Sequence, residues 1–169
     1  MKPAHARSYE PRSINAGTTV RAIHLLMDYY RLTGETKFLA GIPAAIQYLE
    51  SMELPAEEAR KYGHTGNGRQ GILVPRFVDP DTGKPLYVHR VGSNVANGHY
   101  YTDQNITNTI AHYSSGAFID IASLKSAYNE IRTKPVEELI KDSPLLSTEQ
   151  VPLPRFYTRI FSRGGDKGG

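Results

Sequence analysis

Apolar positions recur at helical spacing in the first third of the chain. One face of the segment 13–34 carries five of them: Val20, Ile23, Leu26, Met27 and Tyr30. This is the period of an amphipathic helix. Ser13 or Asn15 can cap its start, and Gly34 is suited to the left-handed residue that ends it.

A second apolar stripe follows over residues 38–52, and Pro55 ends it. Thr36 can cap this helix, but Pro43 is tolerated only in a first turn, so the start can lie nearer Gly41. Because the connection RLTGET is short, the two helices are expected to pack as an antiparallel αα-hairpin.

The pattern changes to that of short strands after residue 71. Residues 72–78 and 85–91 are apolar runs joined by DPDTGK, whose Pro, Asp and Gly favour a turn, and they predict a β-hairpin. The Gly-rich segment 56–71 is interpreted as a loop with one possible helical turn, and the Gly- and Asn-rich segment 92–105 as a loop. Helical spacing returns over 106–113, then more strongly over 121–131, where Asp120 or Ser123 can cap the helix, and briefly over 134–141.

These elements predict a mainly α fold: a partial α/α toroid built of helical hairpins, with a loop insertion that carries the β-hairpin. Two helical hairpins cannot cover each other's apolar stripes completely, which indicates part of a larger helical ring. The helical domain is expected over residues 1–143. The Pro- and Gly-rich tail 144–169 is expected to be disordered at its end.

Composition narrows the classes of function. The 169 residues include no cysteine, which excludes disulfides and thiolate metal sites. The net charge of +3 favours anionic partners, but Lys and Arg are not clustered as in a nucleic-acid binder. No apolar run is long enough to span a membrane, and MKPAHARSYEP is not a signal peptide. The eleven tyrosines fit either a carbohydrate-facing cleft or the edge of a core.

Several motifs resemble known sites but fail on spacing. DPDTG places Gly83 at position 5 and Arg90 at position 12 of a calcium loop that needs Gly at 6 and Glu at 12. The histidines lack HxH, HxxxH and HExxH spacing. GHTGNGRQG lacks the GK[ST] ending of a phosphate loop. No metal ligand is therefore assigned.

Two arginines lie at places from which they can reach a common ligand. Arg7 precedes the first helix, and Arg90 ends the second strand of the hairpin. Guanidinium groups bind carboxylates in bidentate fashion, so the pair can converge on an anionic ligand. The alternative is that each arginine makes an ordinary surface ion pair of negligible value.

The segments around these arginines resemble a known family. KPAHARSYEPRS, followed by YYRLTGETKFLAGIPAAIQYLES and RFVDPDTGKPLYVHRVG, is similar to the C-terminal half of polysaccharide lyase family 10, the pectic acid lyases. The similarity covers residues 2–92 and extends more loosely to residue 126. The patterns K-x-A-x-AR-x-YE and RF-x-D-x-x-TGKP are moderately specific alone and more so in this order.

The resemblance implies a toroid that cleaves polygalacturonate by β-elimination with the help of calcium, in a secreted or periplasmic protein. It places the catalytic base on Arg90 and a carboxylate-binding arginine on Arg7. It extends the substrate-binding groove to four further residues: Tyr9, Lys84, Tyr87 and His89. A neutral His89 is an alternative base with a better intrinsic pKa, although alternation along a strand sends neighbouring side chains to opposite faces.

The chain also departs from the family pattern. Val91-Gly92 follows the arginine where the family has Asp-Gly, and the acidic cation ligands belong to the family's N-terminal half. One alternative is therefore a noncatalytic module for acidic-polysaccharide binding or assembly, partnered by a second copy or by an N-terminal half. Another is a toroid glycosidase, which would need a carboxylate pair from Asp79, Asp81 and Asp103.

Overall fold

The computed structural model describes residue 7 and the ranges 9–62, 71–92, 98–110 and 114–142. Six short strands and five α-helices are found in this part of the chain, in the order β1, α1, α2, α3, β2, β3, β4, β5, β6, α4, α5. A 3-10 turn, Thr36–Phe38, separates α1 from α2. The tail 144–169 lies outside the described residues.

The first two predicted helices are confirmed. Helix α1 spans Ala16–Thr33, and the Asn15 side chain accepts a hydrogen bond from the Thr18 N–H. Gly34, with φ of 69°, ends α1 and donates its N–H to the Tyr30 carbonyl. Helix α2 spans Ile42–Ser51 with a proline in its first turn, so its start is the later of the two that the sequence allows.

The predicted C-terminal helices are also confirmed. Helix α4 spans Ile121–Thr133, and the Asp120 carboxylate accepts the Ser123 N–H. Helix α5 spans Val136–Asp142, and a short helix α3, Ala56–Lys61, lies in a segment interpreted as a loop. In the described part of the chain, no helix is both long and apolar enough to cross a membrane.

Two antiparallel sheets hold the strands. The larger sheet has the order β1, Ile14–Asn15; β3, Phe77–Val78; β4, Pro85–Val91; and β5, His99–Asp103. The smaller sheet pairs β2, Ile72–Pro75, with β6, Gly116–Ile119. The predicted hairpin is confirmed only over β3 and β4, because residues 72–75 of its expected first strand form β2 and pair with β6 instead. Strands β5 and β6 lie where the sequence indicates a loop and a helix break.

The mainly α toroid is wrong. Helices account for 47% and strands for 21% of the described structure, and both sheets are antiparallel, so the fold is mixed α/β. The helix expected over 106–113 is absent from the described residues there: 106–110 form an irregular segment after β5. Helices α1, α2 and α4 pack on one another and on strand residues such as Val74 and Ile119, so their apolar faces are covered without a larger ring.

Two apolar clusters form the core. The larger one joins α1, α2 and α4 to the smaller sheet, with Ile23, Ile42 and Val74 at its centre. The smaller one lies beneath β4 and contains Leu54, Leu73, Tyr87 and Ile106. The larger sheet therefore has one face on the core, and its other face is available to form a surface.

Candidate functional site

An open groove of about 390 Å³ lies on the outer face of the larger sheet. We call it the sheet groove. Its floor belongs to β4 and β5, one wall is the chain segment just before β1, and the β3–β4 turn closes one end. The lining residues are Glu10, Pro11, Arg12, Asp79, Leu86, Val88, Tyr100, Tyr101 and Thr102.

Strand register determines which side chains share the groove face. Val88 pairs with Thr102, and Arg90 pairs with Tyr100. Directly opposed residues of an antiparallel pair point to the same face. Arg90 therefore lies on the groove side, next to the groove residue Tyr100 and at the end far from the turn.

The wall is held to the sheet at both ends. Near the turn, Arg12 donates from Nη1 to Asp81 Oδ2 at 2.7 Å and from Nη2 to Oδ1 at 3.1 Å. At the far end, the Tyr9 ring packs edge-on against Tyr100, with 5.8 Å between ring centroids and 62° between planes. The wall segment is thus fixed by one ion pair and one aromatic contact.

The carboxylates around the groove are all engaged. Arg7 Nη1 donates to Glu10 Oε1 at 2.9 Å. The hydrogen bond from Arg12 lowers the pKa of Asp81, and the same bond raises the pKa of Arg12. The backbone N–H groups of Thr82 and Asp81 donate to Asp79 and lower its pKa. The lowered pKa values of Asp79 and Asp81 keep these two carboxylates ionised, which does not suit either of them to the role of a protonated general acid.

The predicted site residues separate into two groups. Tyr9 and Arg90 both adjoin Tyr100 at the far end of the groove, and Arg7 is paired with the groove residue Glu10. Lys84 is exposed in the turn at the other end, where its carbonyl accepts the N–H of Asp79. The other two predicted residues, Tyr87 and His89, are on the opposite face of β4.

His89 is 5% exposed and binds the segment that follows β5. Its Nε2 lies 2.8 Å from Asp103 Oδ1 and 3.1 Å from the Asn105 carbonyl, and its Nδ1 lies 3.2 Å from the Asn108 carbonyl. The ring also stacks on Tyr101 at 5.2 Å. The structure thus places His89 away from the groove, and its contacts hold the 103–110 segment.

Tyr87 is 1% exposed, and its Oη has no hydrogen-bond partner among the described residues. Burial, with a smaller contribution from the charge of Glu58, raises its pKa from 10.0 to about 12. Above pH 10 Tyr87 therefore ionises in the unfolded chain while it stays neutral in the folded chain, and this ionisation stabilises the unfolded state. Stability that is fully present below pH 10 is lost as the pH rises towards 12.

Tyr87→Phe is therefore expected to flatten the dependence of unfolding free energy on pH between 10 and 12. At neutral pH it is expected to be neutral or stabilising by about 1 kcal/mol, because it removes a buried hydroxyl without a partner. Urea unfolding at several pH values measures both effects. The control is Tyr62→Phe, because the Tyr62 hydroxyl donates to the Gly116 carbonyl at 3.2 Å. A destabilised Tyr87→Phe variant would contradict the assignment.

Sequence reasoning missed Arg12, and it considered Asp81 only as a candidate carboxylate of a glycosidase. The pair is 69 residues apart in sequence. Arg12 directly follows Tyr9-Glu10-Pro11. If residues 14–15 had been recognised as a strand that pairs with the hairpin, Arg12 would have been expected next to the turn. That two-residue strand has too little sequence pattern to be recognised.

No protein-family model, curated protein or solved structure matches this chain. In the described ranges, no group of three or more His, Asp or Glu side chains is placed to hold a metal ion. The calcium implied by the resemblance therefore has no ligand set among the described residues.

Proposed function

We propose that this chain binds an acidic polysaccharide of the polyuronate type along the sheet groove. The observation that carries the proposal is the far end of the groove, where Tyr9 packs on Tyr100 and Arg90 lies opposite Tyr100 on the neighbouring strand. This combination meets the two requirements of a uronate residue. An aromatic ring packs against the C–H face of the sugar, and a guanidinium binds its carboxylate.

The shape of the groove also supports binding of a polymer. It is open along the sheet, and its turn end carries the exposed Lys84. A chain of sugars lying over Val88 and Thr102 would meet basic side chains at both ends. Such a polymer would be encountered outside the cytoplasm, so a secreted or periplasmic location forms part of the proposal.

Tyr100→Ala is expected to weaken binding of oligogalacturonate by at least about tenfold, a loss of about 1.4 kcal/mol. Isothermal titration calorimetry of the full chain measures the change. Tyr29→Ala is the matched control, because Tyr29 is 44% exposed on α1 and does not line the groove. Absence of binding by the unmodified chain, or equal weakening by both variants, would refute the proposal.

Cleavage of the same polymer is a second candidate, favoured by the position of Arg90 on the groove face. In β-elimination a base takes the C5 proton, a C4–C5 double bond forms, and the C4–O bond breaks to release the leaving chain. The form of an arginine that can take a proton is the neutral guanidine, which alkaline solution favours, so the reaction is sought in alkali. The ultraviolet absorbance of the unsaturated product tests it. Turnover retained in Arg90→Ala would remove Arg90 from the role, and no turnover by the unmodified chain would leave binding alone.

A further inference from the structure

Arg12 is already arranged as a carboxylate receptor inside the sheet groove. It lines the groove, and two of its nitrogens donate to the two oxygens of one carboxylate at 2.7 and 3.1 Å. Parallel hydrogen bonds of this kind are how arginine recognises a planar carboxylate of any origin. In this structure the carboxylate belongs to Asp81.

The Asp81 carboxylate can leave Arg12 without disturbing the turn. The turn is held by other bonds: Asp79 Oδ1 accepts the N–H of Asp81 at 2.8 Å and that of Thr82 at 3.0 Å. The Gly83 N–H also donates to the Asp79 carbonyl. The Asp81 side chain is 69% exposed, and that of Arg12 is 34% exposed. Ion pairs with this exposure are weak, because water competes for both partners.

We infer that Arg12 selects acidic over neutral sugars, and that Asp81 occupies its guanidinium until a uronate carboxylate displaces it. This inference rests on the proposed function. Replacing one carboxylate by another keeps the charge of Arg12 compensated and both hydrogen bonds made. A neutral hexose offers no such group, so it would leave the Arg12–Asp81 pair in place and bind without this contact.

The inference predicts that Asp81 acts as an internal competitor. An intramolecular carboxylate competes at an effective concentration in the millimolar range. Asp81→Asn is therefore expected to tighten trigalacturonate binding about three- to tenfold. Arg12→Gln is expected to weaken it, and Asp81→Asn added to Arg12→Gln is expected to give no gain. Binding of a neutral galactan oligosaccharide is expected to be the same in all four proteins.

Asp28→Asn is the matched control. Asp28 accepts from Arg31 at 2.7 Å in a pair of similar exposure on α1, so this variant makes the same change in net charge away from the groove. Calorimetric titrations of trigalacturonate and of the neutral oligosaccharide into each full chain provide the comparison. Circular dichroism verifies that each variant is folded.

The outcomes separate the two proposals. If neither the unmodified chain nor Asp81→Asn binds trigalacturonate, the proposed function fails. If the unmodified chain binds it, but Asp81→Asn binds no tighter than Asp28→Asn, or Arg12→Gln binds as well as the unmodified chain, the inference about Arg12 fails and the proposed function stands. If only Asp81→Asn binds measurably, both are supported, and Asp81 is then a strong internal competitor.

Discussion

Gly71→Ala is expected to destabilise the protein by at least about 2 kcal/mol, since a strained backbone position costs on the order of 1–3 kcal/mol before any clash is added. Gly71 has a φ of 126°, which side-chain-bearing residues rarely adopt. A Cβ placed there would lie 2.4 Å from the Ile119 carbonyl oxygen. That oxygen is backbone at the end of β6, so relief requires moving β2 away from β6. Urea unfolding measures the loss.

Two other glycines separate the contribution of φ from that of the clash. Gly83 has a φ of 69° but nothing within 4 Å of an added Cβ, so Gly83→Ala is expected to cost only about 1 kcal/mol. Gly41 has neither feature, and Gly41→Ala is expected to change stability by less than about 0.5 kcal/mol. Equal losses of stability in Gly71→Ala and Gly83→Ala would show that the clash between the added Cβ and the Ile119 carbonyl contributes nothing.

His89→Leu is expected to cost about 1–3 kcal/mol, because it removes the hydrogen bonds that a buried ring makes with the 103–110 segment. The Asn105 and Asn108 carbonyls would lose the ring nitrogens that now lie 3.1 and 3.2 Å away. Asn108 has a φ of 59°, a conformation that needs support from its surroundings. The 103–110 segment is therefore expected to loosen.

Two measurements check the role of His89. The amide of Ile110, which donates to the Val88 carbonyl at 3.0 Å, is expected to lose protection from hydrogen exchange along with the drop in stability. His24→Leu is the control, because His24 is exposed on α1 and its replacement should change stability by less than about 0.5 kcal/mol. Unchanged stability and protection in His89→Leu would show that the ring contacts do not hold this segment.

Local sequence signals predicted the parts of the fold that local interactions determine. Asn15, Gly34 and Asp120 act as caps at the expected places because capping depends only on neighbouring residues. The hairpin of β3 and β4 follows from its turn residues. Each of these elements is specified within a few residues of sequence.

The remaining strands depend on partners far away in sequence. β5, with the sequence HYYTD, has few apolar side chains and lies at the edge of its sheet, so its pattern resembles that of a polar loop. β6 pairs with β2, about 40 residues earlier in the chain. Ile106 and Ile110 have helical spacing, yet Ile106 is buried in the smaller cluster by an irregular segment. Two residues at that spacing are too few to determine a helix.

The same reasoning explains what was predictable in the candidate site. Motifs in the sequence pointed to Arg7, Tyr9 and Arg90, and alternation along β4 indicated that Arg90 and His89 face opposite sides. Their burial, 5% for His89 against an exposed Arg90, agrees with that alternation. The Arg12–Asp81 ion pair at the other end of the groove forms because β1 pairs with β3. No local sequence pattern specifies that pairing.

The attachment of the groove wall has a further consequence. Besides the Arg12–Asp81 ion pair and the Tyr9–Tyr100 contact, the wall joins the sheet through two residue pairs of β1, Ile14 with Val78 and Asn15 with Phe77. Segments with so few contacts detach at a small fraction of the free energy of global unfolding. If a polymer binds in the groove as proposed, local detachment of the wall would let it enter from the side instead of threading from an end.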